Sequence, residues 1–260
     1  MRRRSFGSWI WVVLGSVYFF LPLAASFLFS LRKLSDHLSF EAYRGVFSDA
    51  GFFLNFGSSV RWAAITIVAS LLLVVPTVYW VHLRAPQFRR IVEFITLMPF
   101  VVPAVVLAFG LIRAYARPPL ELTRTPAILI GAYVVLSLPY MFRAVDNGLR
   151  AIDVRTLTEA AQSLGAGWAT VLWRVIFPNL RVALLSGMFL TFAIVVGEYT
   201  FASLLAWPAF GPYVVLTFQT KAYEAVALST LSFALTWASI GVIQWLGRAA
   251  PGQAQVAGAR

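Results

Sequence analysis

The chain has 260 residues, of which 60% are hydrophobic and 12% charged, with a mean hydropathy of +0.80. That composition lies outside the range of soluble domains and excludes an ordinary water-soluble fold. The formal charge of +11 does not point to nucleic acid, because the basic residues punctuate the ends of apolar runs rather than clustering on one face. With no cysteine, disulfide and thiolate–metal chemistry are excluded as well.

Crossing a hydrocarbon core takes about 20 apolar residues in a helix. Six runs reach that length: Trp9–Leu31, Ser59–Val81, Ile91–Arg113, Ala127–Val145, Val182–Leu205 and Ala225–Leu246. None shows the alternation of a barrel strand, so the expected fold is all-α, a bundle of six transmembrane helices forming one domain over 1–260. The first run follows "MRRRSF", in which Arg3-Arg4-x-Phe6 is part of a twin-arginine signal pattern. The run is longer than a signal core and more spans follow it, so a retained first helix, 9–31, is expected. With the N-terminus inside, basic residues at inner ends (Arg2, Arg3, Arg4, Arg84, Arg89 and Arg90 among them) outnumber those at outer ends, such as Arg32, Arg44, Arg61 and Arg113. That bias places both termini in the cytoplasm.

Between the first two runs, Arg32–Gly57 reads as an outside loop with short interfacial helices and a turn at Asp49-Ala50-Gly51. The linker "HLRAPQFRR", 82–90, is short and makes the second and third helices antiparallel neighbours. His37 and His82 stand alone in separate loops and read as solvated; no metal site and no catalytic residue is expected. In the third helix, Pro99 and Pro103 at i and i+4 each remove a backbone donor and predict a kink, a shape suited to lining a pathway. The tail Pro251–Arg260 reads as disordered.

The loop between the fourth and fifth helices, about 151–178, keeps a polar, helical pattern. Asp153 or Thr156 can cap a helix, and Thr156 with Glu159 has capping-box spacing. Leu157, Ala160, Ala161 and Leu164 form its apolar stripe, and Gly165-Ala166-Gly167 suits its end. Trp168, Val171, Leu172 and Val175 carry a second stripe until Pro178 stops it and Asn179 caps the next span. Few bulky side chains hold the first helix in lipid, and its small residues suit a protein partner.

Glu198, in "VVGEYTFASLL", lies deep in the fifth run next to Gly197 and Tyr199. A charge at membrane depth is costly and marks a functional residue. It reads either as a gate or packing contact, or as a pathway carboxylate attracting a cation. Glu93, by contrast, reads as a surface partner of Arg89 and Arg90.

Glu159-Ala160-Ala161, Gly165, Val175 and Phe177-Pro178 together resemble the signature loop of permease subunits of binding-protein-dependent ABC importers, type I fold. The departures are Val175 for isoleucine and Phe177 for leucine, and the resemblance runs from about Ser59 to Leu246. It implies that the loop is a cytoplasmic coupling helix, with Glu159, Ala160, Ala161, Leu164 and Gly165 meeting an ATPase. It further implies a homologous, non-identical second permease, two ATPase copies, an extracytoplasmic solute-binding protein and a multi-pass place in the lipid of a bacterial inner membrane. Lacking a Gly-x-x-x-x-Gly-Lys-Ser/Thr loop, the chain needs no cofactor of its own; ATP and Mg belong to the ATPase. The "GEY" segment resembles the polyamine (spermidine/putrescine) branch, with Glu198 and Tyr199 in the pathway or gate. Ferric iron, phosphonate, sulfate and molybdate permeases carry similar segments and are the alternatives. An ion-coupled secondary transporter or channel is the competing class and requires a relay of several intramembrane charges.

Overall fold

The computed structural model describes residues 6–32 and 38–248; Arg2–Arg4, His37 and the tail 251–260 lie outside the described residues. All regular structure among the described residues is helical. In chain order the helices are α1 (Phe6–Ser30), α2 (Glu41–Ser48), α3 (Ala50–Leu83), α4 (Arg89–Val101), α5 (Ala104–Tyr115) and α6 (Pro126–Arg150). They continue with α7 (Val154–Ser163), α8 (Trp168–Thr170), a π-helical stretch Val171–Ile176, α9 (Phe177–Asn179), α10 (Arg181–Gly197), α11 (Thr200–Leu204), α12 (Phe210–Thr220) and α13 (Ala222–Arg248).

Among the described residues, Trp9–Ser30, Ala50–Leu83 and Pro126–Arg150 are single helices long and apolar enough to cross a membrane. Two more qualify only as bent pairs: Pro86–Val101 with Ala104–Tyr115, at 101°, and Trp168–Asn179 with Arg181–Gly197, at 80°. The sixth expected run, 225–246, falls inside α13. α3 has 34 residues and begins at Ala50, so much of the expected outside loop is already helix.

The third and fifth runs are not continuous helices, and local chemistry explains both breaks. Pro103 pushes the residue before it out of the helical region, and Val102 sits extended at φ −89°, ψ 120°. Pro99, by contrast, lies inside α4 without ending it. α10 stops at Gly197, and Glu198 is extended at φ −74°, ψ 131°.

The chain divides into two compact units, Met1–Leu54 with Pro212–Leu235, and Asn55–Gly211 with Thr236–Arg260. In the first, Phe29 stacks on Tyr223 at 4.8 Å and the Ser30 and Tyr43 hydroxyls pair at 2.8 Å. α2 turns Ala42 and Val46 into the protein. In place of the expected turn over 49–51, Asp49 alone separates α2 from α3 and serves the start of α3: its Oδ1 accepts the Gly51 N–H at 2.7 Å and its Oδ2 the Tyr213 hydroxyl at 3.0 Å. The Gly51 amide, then Tyr213, holds the Asp49 carboxyl below its ordinary pKa.

The second unit is built on α6. α10 crosses it at glycines: a Cβ on Gly148 would stand 2.6 Å from the Ala183 Cβ, and one on Gly187 would meet Met141 Sδ at 2.9 Å and Ala144 Cβ at 3.1 Å. Such small-residue contacts let helix backbones approach where lipid offers no hydrophobic drive. Ser70 of α3 and Ser137 of α6 pair at 2.8 Å in the same interior. Below them Val75, Val78, Met141, Val145 and Leu184 form one buried cluster.

Gly187→Leu is expected to lower the thermal stability of the detergent-purified protein by about 1–3 kcal/mol, the usual cost of overpacking. Gly131→Leu, at a position with nothing within 4 Å, is the control. Equal melting temperatures for the two variants would remove the glycine crossing as a determinant of the fold.

Candidate functional site

In the hairpin between α6 and α10, the first arm, α7, is capped at both ends. Asp153, not Thr156, caps α7: its Oδ1 accepts the Thr156 N–H at 3.1 Å and its Oδ2 the Thr156 hydroxyl at 2.7 Å. Those two bonds hold the Asp153 carboxyl below its ordinary range. The Thr156–Glu159 capping box does not form, because Thr156 is already in the helix and Glu159 pairs instead with Arg155 at 2.9 Å. At the other end Gly165 takes φ 82°, its N–H reaching the Gln162 carbonyl at 2.9 Å while the Ala166 N–H reaches Ala161 at 3.0 Å. This is a Schellman turn, which glycine enters without the Cβ penalty.

The buried stripe of α7 is rotated from the one expected. Val154 and Thr158 are buried and Leu157 and Ala161 pack against the core, whereas Ala160 is exposed and Leu164 is 90% exposed. The reason lies in α3. The Tyr79 hydroxyl meets the Thr158 hydroxyl at 3.0 Å in the interior, and this polar contact sets which side of α7 turns inward. Trp168 packs edge-on to Tyr79 at 6.1 Å, and the Arg84 guanidinium lies 5.3 Å from its ring centre.

The second arm differs from a regular helix. Val171 and Ile176 are fully buried, and the π-helical turn from 171 to 176 accommodates Pro178, whose ring clashes with the carbonyl four residues back in an α-helix. Pro178 does not stop the arm, which runs on to Asn179. Asn179 does not cap α10 either: its Nδ2 donates to the Val175 carbonyl at 2.7 Å, and the chain turns by 80° at Leu180. The outcome is a hairpin fixed to the bundle on one side, with Glu159, Ala160, Leu164 and Gly165 open on the other and Ala161 turned partly inward.

Glu198 occupies the break after α10. Its carboxylate accepts the Phe201 N–H at 2.9 and 3.1 Å and the Ala202 N–H at 3.2 Å, so it caps α11. The buried Tyr133 hydroxyl lies within electrostatic reach but makes no hydrogen bond of normal geometry. Tyr199 is 45% exposed. A Cβ on Gly211 would collide with the Glu198 carbonyl oxygen, so α12 starts flush against this break. The Phe210 N–H is taken by Ser59 Oγ of α3 at 2.8 Å, and Trp62 Nε1 donates to the Pro208 carbonyl at 3.3 Å.

His82 is not solvated: its Nε2 sits 2.7 Å from Asp146 Oδ1, and its side chain is 15% exposed. Asp146 lies one residue past the fourth apolar run, which ends at Val145, so hydropathy does not mark it. Its i,i+4 spacing to Arg150 was the available signal. Arg89 pairs with Asp146 at 3.3 Å.

A family model described as "Binding-protein-dependent transport system inner membrane component" matches residues 79–248, which hold the hairpin, Asp146 and Glu198. The chain belongs to this family. It is similar to the ferric transport system permease protein FbpB of Actinobacillus pleuropneumoniae, at 35% identity over 106 residues, 41% of this chain and 15% of that protein. The match therefore spans only a small part of that relative's length. It is also similar to the putative 2-aminoethylphosphonate transport system permease protein PhnV of Salmonella choleraesuis, at 26% identity, covering 91% of this permease and 93% of that one. A crystal structure of a bacterial ABC transporter involved in the import of the acidic polysaccharide alginate shares the fold, with a TM-score of 0.67 at 20% identity over 92% of this chain and 95% of that one.

Two outcomes test the local geometry. Asp153→Ala is expected to raise amide hydrogen exchange at residues 154–157, whereas Asp153→Ser retains protection. Since the folded carboxyl titrates below its ordinary value of 3.8, the cap's contribution is complete above that value and is lost as pH falls through the lowered one. At the second site, Glu198→Ala strips the cap from α11 and is expected to destabilise by about 1–3 kcal/mol; Glu198→Gln keeps one acceptor and loses less. Equal loss in both would show that the carboxylate charge, not its acceptor geometry, holds α11.

Proposed function

We propose that this permease is the membrane-spanning subunit of an ATP-driven importer, forming half of the solute pathway. In this reading it crosses a bacterial inner membrane six times, with both termini and the hairpin in the cytoplasm. Its partners are a homologous, non-identical permease, two ATPase copies that hold ATP and Mg, and an extracytoplasmic solute-binding protein. The observation that carries the reading is the hairpin. Its first arm is capped at both ends, it is anchored by Tyr79 and Trp168, and it offers Glu159, Ala160, Leu164 and Gly165 outward beside the half-turned Ala161. A rigid, anchored element converts a push at its tip into movement of the helices it grips, as a hinge or shear switch requires.

Glu198 and Tyr199, at the break in the fifth span, belong to the gate. The carboxylate is occupied by the α11 backbone, which favours the gate over a cation site and weakens the charge-based case for a polyamine. The relatives described above are named for ferric iron and 2-aminoethylphosphonate. We therefore place the cargo among ferric iron, phosphonate, sulfate and molybdate ahead of spermidine or putrescine. Pro103, where α4 and α5 meet at 101°, lets the pathway helix bend, and Pro99 removes one backbone donor within α4. The competing ion-coupled reading gains a second buried acid in Asp146, but two arginines already neutralise it.

The test is co-purification of an ATPase with the tagged chain, followed by vesicle uptake of radiolabelled ferric iron, 2-aminoethylphosphonate, sulfate, molybdate and spermidine. Gly165→Asp and Glu159→Lys are expected to leave membrane insertion intact and lower uptake per ATP hydrolysed by about tenfold, an ordinary coupling free energy. Gly165→Asn, which tolerates the left-handed backbone equally but adds no charge, is expected to fall between them and wild type. Undiminished uptake in the first two variants counts against the coupling role, and uptake of spermidine alone would reverse the cargo assignment.

A further inference from the structure

The Asp146 carboxylate is 8% exposed and joins three helix ends. Its Oδ1 meets His82 in the last turn of α3 at 2.7 Å. Its Oδ2 accepts from Arg150, the last residue of α6, at 2.6 Å, and from Arg89, the first residue of α4, at 3.3 Å. Removing a buried ion's partners strands a charge away from water, which is far more costly than parting two exposed ones. The ends of α3, α4 and α6 therefore cannot separate cheaply.

The same end of α3 grips the hairpin. Tyr79, one turn before His82, bonds Thr158 at 3.0 Å, and Arg84, two residues after it, lies over Trp168 at 5.3 Å. A continuous path thus runs from the hairpin through the last turns of α3 to Asp146, and from Asp146 through Arg89 into α4. α4 leads across the Pro103 bend into α5. The 84–88 connection between α3 and α4 is short and carries a 3-10 turn at Pro86–Phe88, and the ion pairs add a second tie between the two helices.

We propose that Asp146 is a positioning residue for coupling: it clamps the ends of α3, α4 and α6 into one block, so that displacement of the hairpin is delivered to α4 and α5. The proposal rests on the permease reading. It assigns a transmission role to residues that touch neither the tip of the hairpin nor the break at Glu198.

The absence of cysteine allows site-specific spin labels on the full chain. Labels at Ser163→Cys on the exposed hairpin and Phe94→Cys on the exposed face of α4 report the hairpin-to-α4 distance in the complex purified with whatever ATPase accompanies it. The wild-type background is expected to give one narrow distance that is the same without nucleotide and after ATP–vanadate trapping. Asp146→Asn is expected to lose that single peak already without nucleotide, and to diverge further on trapping while basal ATP hydrolysis continues. Asp146→Glu, which keeps the charge, is expected to restore the peak, a rescue that a purely packing role does not give. If Asp146→Asn does not assemble, His82→Gln deletes one of the three partners and is expected to broaden the peak. A wild-type distance that changes on trapping, or an unaltered peak in Asp146→Asn and His82→Gln, overturns the clamp. Absence of any ATPase from the wild-type preparation overturns the permease reading alone, since the nucleotide-free distances still decide the clamp.

Discussion

Inside a hydrocarbon layer an interrupted helix leaves N–H and C=O groups that water cannot satisfy, and this chain interrupts its helices repeatedly. Around its functional elements, a nearby side chain or turn takes over the orphaned groups. The Glu198 carboxylate receives the first amides of α11, Ser59 reaches from α3 to the Phe210 amide at the start of α12, and Asn179 serves the Val175 carbonyl ahead of the bend. At the hairpin tip the same need is met by backbone alone, through the Gly165 turn. These replacements are what allow a membrane protein to contain a pathway rather than a bundle of straight rods.

Satisfying the breaks also decides what each polar residue is free to do. Glu198 stands out in the sequence as an isolated charge, and charge by itself suggests attraction of a cation. Once its oxygens hold the amides of Phe201 and Ala202, the residue defines the position of a short helix packed against the start of α12. A break capped from within is set by geometry more than by electrostatic attraction, which is why a gate rather than a cation site is the role proposed for Glu198. Asp146 presents the converse case: hidden at the end of an apolar run, it gathers more charged partners than any acid the sequence drew attention to.

The hairpin shows how far local pattern reaches. Its existence, its two arms and its glycine turn were legible because caps, small residues and Gly165 act within a few positions of one another. Which residue caps it was ambiguous, since Asp153 and Thr156 both have the chemistry and only the start of α7 chooses between them. The stripe that turns inward was misread because Thr158 is polar and hydropathy discounts it; its hydroxyl is buried only because Tyr79, far along the chain, bonds it.

Taken alone, the sequence determined the all-helical class of this protein, its long apolar runs and the place of the hairpin, because each depends on hydropathy and turn chemistry summed over neighbouring residues. Tertiary structure alone decided which face of α7 is buried, that His82 is paired, and that Asp146 gathers three helix ends. Those outcomes depend on side chains brought together from distant positions, and an apolar run carries no mark of which of its few polar groups will find a partner.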